Sequence, residues 1–132
     1  MQVDPLLQSP PLLIAESLAG PLRALAERWL RQAPEVARRL IEEIDRAELI
    51  TDGQMPDDVV TLGSSVSYRD EDSGAEHTIR LVMPTEANPS LRRVSVMTPV
   101  GAALIGLRRG QRIACEIAGR EAVLAVTGVA RA

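Results

Sequence analysis

Two amphipathic stripes of helical period, separated by only four residues, constrain this chain more than any other feature of it. Leu18, Leu22, Leu25, Ala26, Trp29 and Leu30 recur at spacings of four, three, one, three and one, so they share one face of a helix with 3.6 residues per turn. Val36, Ala37, Leu40, Ile41, Ile44 and Ala47 make a second apolar face, with Arg38, Arg39, Glu42, Glu43, Asp45 and Arg46 opposite it. Only Arg31-Gln32-Ala33-Pro34 lies between the stripes. A connection that short forces the helices to be antiparallel neighbours, which predicts a helical hairpin. Arms of roughly 14–16 residues are about 21–24 Å long at the helical rise of about 1.5 Å per residue.

The ends of the hairpin carry their own signals. Pro21 is tolerated in a first turn, where its missing N–H has no partner to lose, so the first helix is expected to begin near Ser17 or Gly20. Pro34 opens the second helix beside Glu35, an acid where the helix dipole favours one. Glu35 and Arg39, and Glu42 and Arg46, stand at i,i+4 in the favourable order. Thr51-Asp52-Gly53 should stop this helix, with Gly53 as a left-handed cap. Ahead of the hairpin, residues 1–16 form a lead punctuated by Pro5, Pro10 and Pro11. Its Leu12-Leu13-Ile14-Ala15 stretch reads either as a short strand or as an apolar approach to the first helix.

After Gly53 the period changes. Val59-Val60-Thr61-Leu62 is a short apolar run closed by Gly63-Ser64. Strand alternation around Val66 and Tyr68 leads into a polar hairpin turn, Asp70-Glu71-Asp72-Ser73-Gly74, read as a solvated tip. Glu76 to Met83 returns as a strand that Pro84 closes, and a loop over Thr85 to Ser90 follows. Val94 to Met97 is another strand, Pro99 opens a turn of helix reaching Leu107, and Arg108 to Gln111 turns the chain. Arg112 to Ile117 and Glu121 to Val129 pair around Ala118-Gly119-Arg120. The expectation is an α+β chain: a lead and hairpin over residues 1–54, then an antiparallel sheet carrying one short helix over residues 55–132.

Composition removes several function classes. Aromatics make up 2% of the chain, with one Trp, one Tyr and no Phe, so there is no stacking platform for single-stranded nucleic acid. A net charge of −3 leaves no general basic footprint, so direct, specific nucleic-acid binding is not expected. Residues 1–58 nevertheless carry 6 Arg against 11 acids, and residues 59–132 carry 9 Arg against 7, a polarity that suggests two parts with different partners. A single Cys excludes an internal disulfide and a Cys-rich zinc site. No run resembles a signal peptide or a membrane span, so no membrane partner and a cytoplasmic setting are expected.

The stretch Val94-Ser95-Val96-Met97-Thr98-Pro99-Val100-Gly101-Ala102-Ala103-Leu104-Ile105-Gly106-Leu107-Arg108-Arg109-Gly110-Gln111 resembles the Ser-Pro-x-Gly-x-Ala-Leu-x-Gly-x-x-x-Gly-Asp signature of Gre transcript factors. It is nearer still to the branch of that family named for regulating nucleoside diphosphate kinase. Asp45-Arg46-Ala47-Glu48 running into Met55-Pro56-Asp57-Asp58-Val59-Val60-Thr61 is similar to the same branch's junction between hairpin and sheet. Gln111 departs from the signature, which has an acid there. The resemblance implies a C-terminal domain like that of FK506-binding proteins behind a short antiparallel coiled coil. It also implies a bacterial RNA polymerase partner, with the hairpin directed at the secondary channel and the C-terminal domain at its rim, in possible competition with other Gre-like factors.

The residues do not support the family's chemistry. Cleavage by the Gre route needs clustered carboxylates at the hairpin tip, because Mg²⁺ takes oxygen ligands. The tip here offers Gln32 and a single acid, Glu35, already explained as a dipole partner. A prolyl isomerase pocket is walled by aromatics, and Trp29 and Tyr68 cannot line one. His77 lacks triad partners and reads as a surface or edge-strand residue, and Cys115 reads as a small buried hydrophobe. No cofactor, metal or enzymatic activity is expected. Thr98, Pro99, Val100 and Gly101 are the polymerase-contact candidates. Two other roles are kept open: a regulator acting on nucleoside diphosphate kinase or other metabolic enzymes by protein contact, and a self-associating assembly module.

Overall fold

The computed structural model describes residues 11–131, so the Pro5 and Pro10 portion of the lead lies outside the described residues. The chain order is β1 (Leu13–Ala15), α1 (Glu16–Arg28), α2 (Pro34–Arg46), β2 (Glu48–Ile50), β3 (Ser65–Asp70), β4 (Glu76–Val82), β5 (Arg93–Ser95), α3 (Pro99–Leu104), β6 (Arg112–Ile117) and β7 (Arg120–Ala130).

The hairpin forms where the stripes meet. Leu22, Leu25 and Ala26 of α1 are buried with Ala37, Leu40 and Ile44 of α2. Leu40 is fully enclosed, and burying a leucine contributes about 1.5–3 kcal/mol. Both helices have 13 residues, slightly shorter than their stripes suggest. α1 starts at Glu16, which moves Pro21 out of the first turn and into the helix interior. There the proline removes one intrahelical hydrogen bond, at a cost its buried neighbours must offset. The start of α1 has no side-chain cap of its own. Asp52, 35 residues away, supplies one: its carboxylate accepts the Ser17 N–H at 3.1 Å and a short bond from the Ser17 hydroxyl. Those bonds hold the Asp52 carboxyl below its ordinary range.

Two expectations about α2 are corrected. Its arginines do not follow the i,i+4 pattern: Arg46 forks onto Glu43, at 2.8 and 3.2 Å, and Arg39 reaches the Ala114 carbonyl instead of Glu35. The pull is burial, since Glu43 is 6% exposed and its carboxylate must be paired where it is. The helix also stops at Arg46 rather than at Gly53. Gly53 sits in a 3₁₀ turn, Asp52–Gln54, without the left-handed backbone of a cap. Between them runs β2, which pairs in parallel with β1 in the register Leu13 with Glu48 and Ala15 with Ile50. Leu13-Ile14-Ala15 is therefore a strand rather than the approach to a helix.

The second sheet has the order β5-β4-β3-β7-β6. Its β4–β3, β3–β7 and β7–β6 pairings are antiparallel, and β5 adds a parallel edge beside β4. The expected loop before β5 contains two 3₁₀ turns, Pro84–Glu86 and Pro89–Leu91. A two-residue turn joins β6 to β7, with Ala118 and Gly119 both at positive φ, the geometry that suits a right-twisted hairpin. One face of the sheet presents Val66, Leu81, Ile113, Leu124 and Val126 to a core that continues through Ala102, Ala103 and Leu104 of α3 into the hairpin. Val59 and Val60 are buried but not in a strand; Val60 is tied to Leu107 and Gly106 by backbone bonds.

Candidate functional site

The Thr98–Gly101 turn is built by short-range hydrogen bonds around Ser95. The Ser95 hydroxyl accepts the Met97 N–H at 2.9 Å, and the Ser95 carbonyl accepts the Thr98 hydroxyl at 2.7 Å. The Thr98 oxygen in turn accepts the Gly101 N–H at 3.0 Å, which caps α3, and Pro99 occupies the first helical position. Gly101 is buried, and a Cβ built on it would overlap the Ser95 carbonyl oxygen and stand 2.9 Å from Val96 Cα. Glycine is required there by close approach of two backbones. Of the four candidates, only Pro99 is exposed; Thr98 and Val100 are half-buried.

The structure brings one hairpin-tip candidate to this turn. Glu35, at the start of α2, and Pro99 line a common cleft of about 190 Å³ with Val36, Arg39, Ala102 and Cys115. Gln32 is exposed in the connection before α2. Arg39 crosses from α2 to the edge strand β6, donating to the Ala114 carbonyl at 3.1 Å, while its Nε is buried without an acceptor. Sequence reasoning missed Arg39 because nothing local links α2 to a strand 75 residues on. Cys115 is buried on the same wall, and burial raises its thiol pKa. No group of three or more His, Cys, Asp or Glu among the described residues is placed to hold a metal ion.

Comparison with known proteins follows this geometry. A family model described as transcription elongation factor GreA/GreB, C-terminal, matches residues 55–131. The chain belongs to the GreA/GreB family. The relatives of this GreA/GreB member include a protein named regulator of nucleoside diphosphate kinase in Escherichia coli K12, 37% identical over 110 residues, spanning 83% of this chain and 81% of that one. Transcription elongation factor GreA of Chloroflexus aggregans is 45% identical over 71 residues, but they span only 54% of this chain and 45% of that factor. A solved structure titled prokaryotic transcription elongation factor GreA/GreB from Nitrosomonas europaea superposes with a TM-score of 0.72 at 31% identity, covering 92% of this chain and 99% of that one.

Three polar positions of this GreA/GreB family member are now explained. Gln111, where the signature has an acid, accepts the Arg108 N–H through its side-chain oxygen at 2.8 Å, so the amide keeps the turn's acceptor. The Asp70–Gly74 turn is more than a solvated tip. Asp70 is 4% exposed, accepts the Asp72 N–H at 3.0 Å and the Arg120 guanidinium at 2.6 Å, and its carboxyl is held low chiefly by Arg120. Glu71 is likewise held low by a bidentate pair with Arg112. His77 is exposed on β4, its ring 5.2 Å from that of Tyr68. Among the described residues no helix is long and apolar enough to cross a membrane.

Proposed function

We propose that this GreA/GreB family member is a non-enzymatic regulator that docks on bacterial RNA polymerase at the rim of the secondary channel. The observation that carries this reading is the cleft shared by Pro99 and Glu35, which puts the family's signature turn and the base of the hairpin tip on one surface. In this reading the unit over residues 55–132 supplies most of the affinity, through Pro99 and its neighbours Thr98, Val100 and Gly101. The lead and hairpin over residues 1–54 set the orientation, with Gln32 and Glu35 nearest the channel. A tip with one acid is poorly equipped to hold a catalytic Mg²⁺, which argues against transcript cleavage. The test is binding of the purified chain to core RNA polymerase with a Gre factor as competitor. Competed binding that Pro99→Ala weakens supports the proposal. Absence of binding at micromolar concentration refutes it.

A second reading rests on the name of the Escherichia coli relative, which points to nucleoside diphosphate kinase as the regulated protein. A pull-down that retains the kinase and not the polymerase would favour it.

A further inference from the structure

The parallel pairing of β4 with β5 sets Arg80 and Arg93 directly across from each other. Both are exposed, and neither forms an ion pair among the described residues. Arg92 adds a third exposed cation at the same end, its backbone left-handed at φ 55°. Like charges facing each other across a ladder destabilise it, so the fold gains nothing from this pair. The two arginines line one cleft of about 360 Å³ with Leu62, Val82, Met83 and Glu86. The cleft thus has an apolar floor and a largely cationic rim. Leu91, in the turn just before Arg92, is 57% exposed.

We propose that this cleft docks an extended acidic segment of a partner polypeptide. Its carboxylates pair with the Arg80 and Arg93 guanidiniums, whose planar forks match carboxylate geometry. Its aliphatic side chains rest on Leu62, Val82 and Met83. A nucleic acid fits less well: the cleft offers no aromatic face for a base, and a phosphate backbone makes no use of an apolar floor. The site shares no residue with the Thr98–Gly101 turn, so it stands or falls independently of the polymerase reading.

The experiment measures fluorescence anisotropy of a labelled peptide of about eight residues alternating Glu and Leu, long enough for one strand. The full-length chain is the receptor, with an alternating Lys–Leu peptide and a single-stranded oligouridylate of equal charge as the other probes. The Glu–Leu peptide should bind, the Lys–Leu peptide should not, and Arg93→Glu should weaken binding by about tenfold or more, as loss of a central charged contact does. The same substitution faces Arg80 with an acid, so the urea midpoint of the free protein should rise while binding is lost. That opposite movement separates loss of the site from loss of the fold. No binding of the Glu–Leu peptide at millimolar concentration, tighter binding of the oligouridylate, binding indifferent to Arg93→Glu, or a lowered urea midpoint would each overturn the proposal.

Discussion

Replacing Gly101 by alanine should destabilise the protein, although helix propensity alone argues the opposite. Exchanging glycine for alanine in a helix interior ordinarily stabilises by about 0.5–1 kcal/mol. At Gly101 the new methyl would overlap the Ser95 carbonyl and sit 2.9 Å from Val96 Cα, both of them backbone. Carbon atoms pack at about 3.5–4.0 Å, so α3 and the strand end would have to part by about 1 Å. Overpacking of this kind costs about 1–3 kcal/mol, and here no flexible side chain can move aside, so the upper end applies. Net of propensity, the loss should be about 2 kcal/mol. For a chain of this size that lowers Tm by roughly 6–12 °C. Gly20, inside α1 with nothing within 4 Å of a built Cβ, is the internal control. Gly20→Ala gains helix propensity but sets a Cβ beside Pro21, which disfavours helical backbone at the residue before it, so its net change should stay within about 1 kcal/mol. Urea denaturation of both variants measures the contrast. A Gly101→Ala variant as stable as the parent would refute the close-approach account of the turn, and with it the assignment of Gly101 to structure.

Asp70, whose folded pKa is depressed chiefly by Arg120, contributes stability that is present above the unfolded carboxyl value, near ~3.9, and lost as pH falls toward the folded one. Asp52 and Glu71 are depressed too and add to the same acid window. Asp70→Asn should therefore lower the urea midpoint clearly at pH 7 and far less at pH 3; an equal loss at both values would contradict the pairing. Gln111→Glu keeps the side-chain acceptor for Arg108 and should change stability by less than about 0.5 kcal/mol, whereas Gln111→Leu should cost about 0.5–1.5 kcal/mol by chemical denaturation. Cys115 is buried with a raised thiol pKa, so an aromatic disulfide reagent at pH 8 should label it slowly in the native protein and rapidly in urea. Fast labelling without denaturant would show that the α2–β6 cleft opens.

Features written locally in the residues were legible before the structure. The stripes of α1 and α2, the short connection between them, the Pro99 start of α3 and the β6–β7 hairpin each depend on neighbours within a turn or two. Features assembled from distant residues were not. β1 and β2 are three residues each and persist by pairing across the whole hairpin, so neither carries a pattern long enough to read. Asp52 looked like part of a helix stop but serves as a cap for Ser17, far earlier in the chain. Asp70 looked like solvated tip chemistry until Arg120, 50 residues later, closed over it. The candidate residues divide the same way: the Pro99 turn is visible in the signature, whereas the placement of Arg39 and of the Arg80–Arg93 pair arises only once helix meets strand and strand meets strand.

β1 ends where α1 begins, and β2 starts just after α2 ends, so the two paired strands hold both roots of the hairpin together. Ser17 and Asp52 add a second fastening at the same place. The paired strands therefore fix where the helices leave and return, while Arg39 on the Ala114 carbonyl ties α2 to the larger sheet further along. Whole turns could be added to both arms at the Arg31–Pro34 end with these roots undisturbed, whereas removing one would cost the packing of Ala26 and Ala37 and the Arg39 contact. Reach becomes an extensible dimension of such a molecule, and one anchored body can carry probes of many lengths.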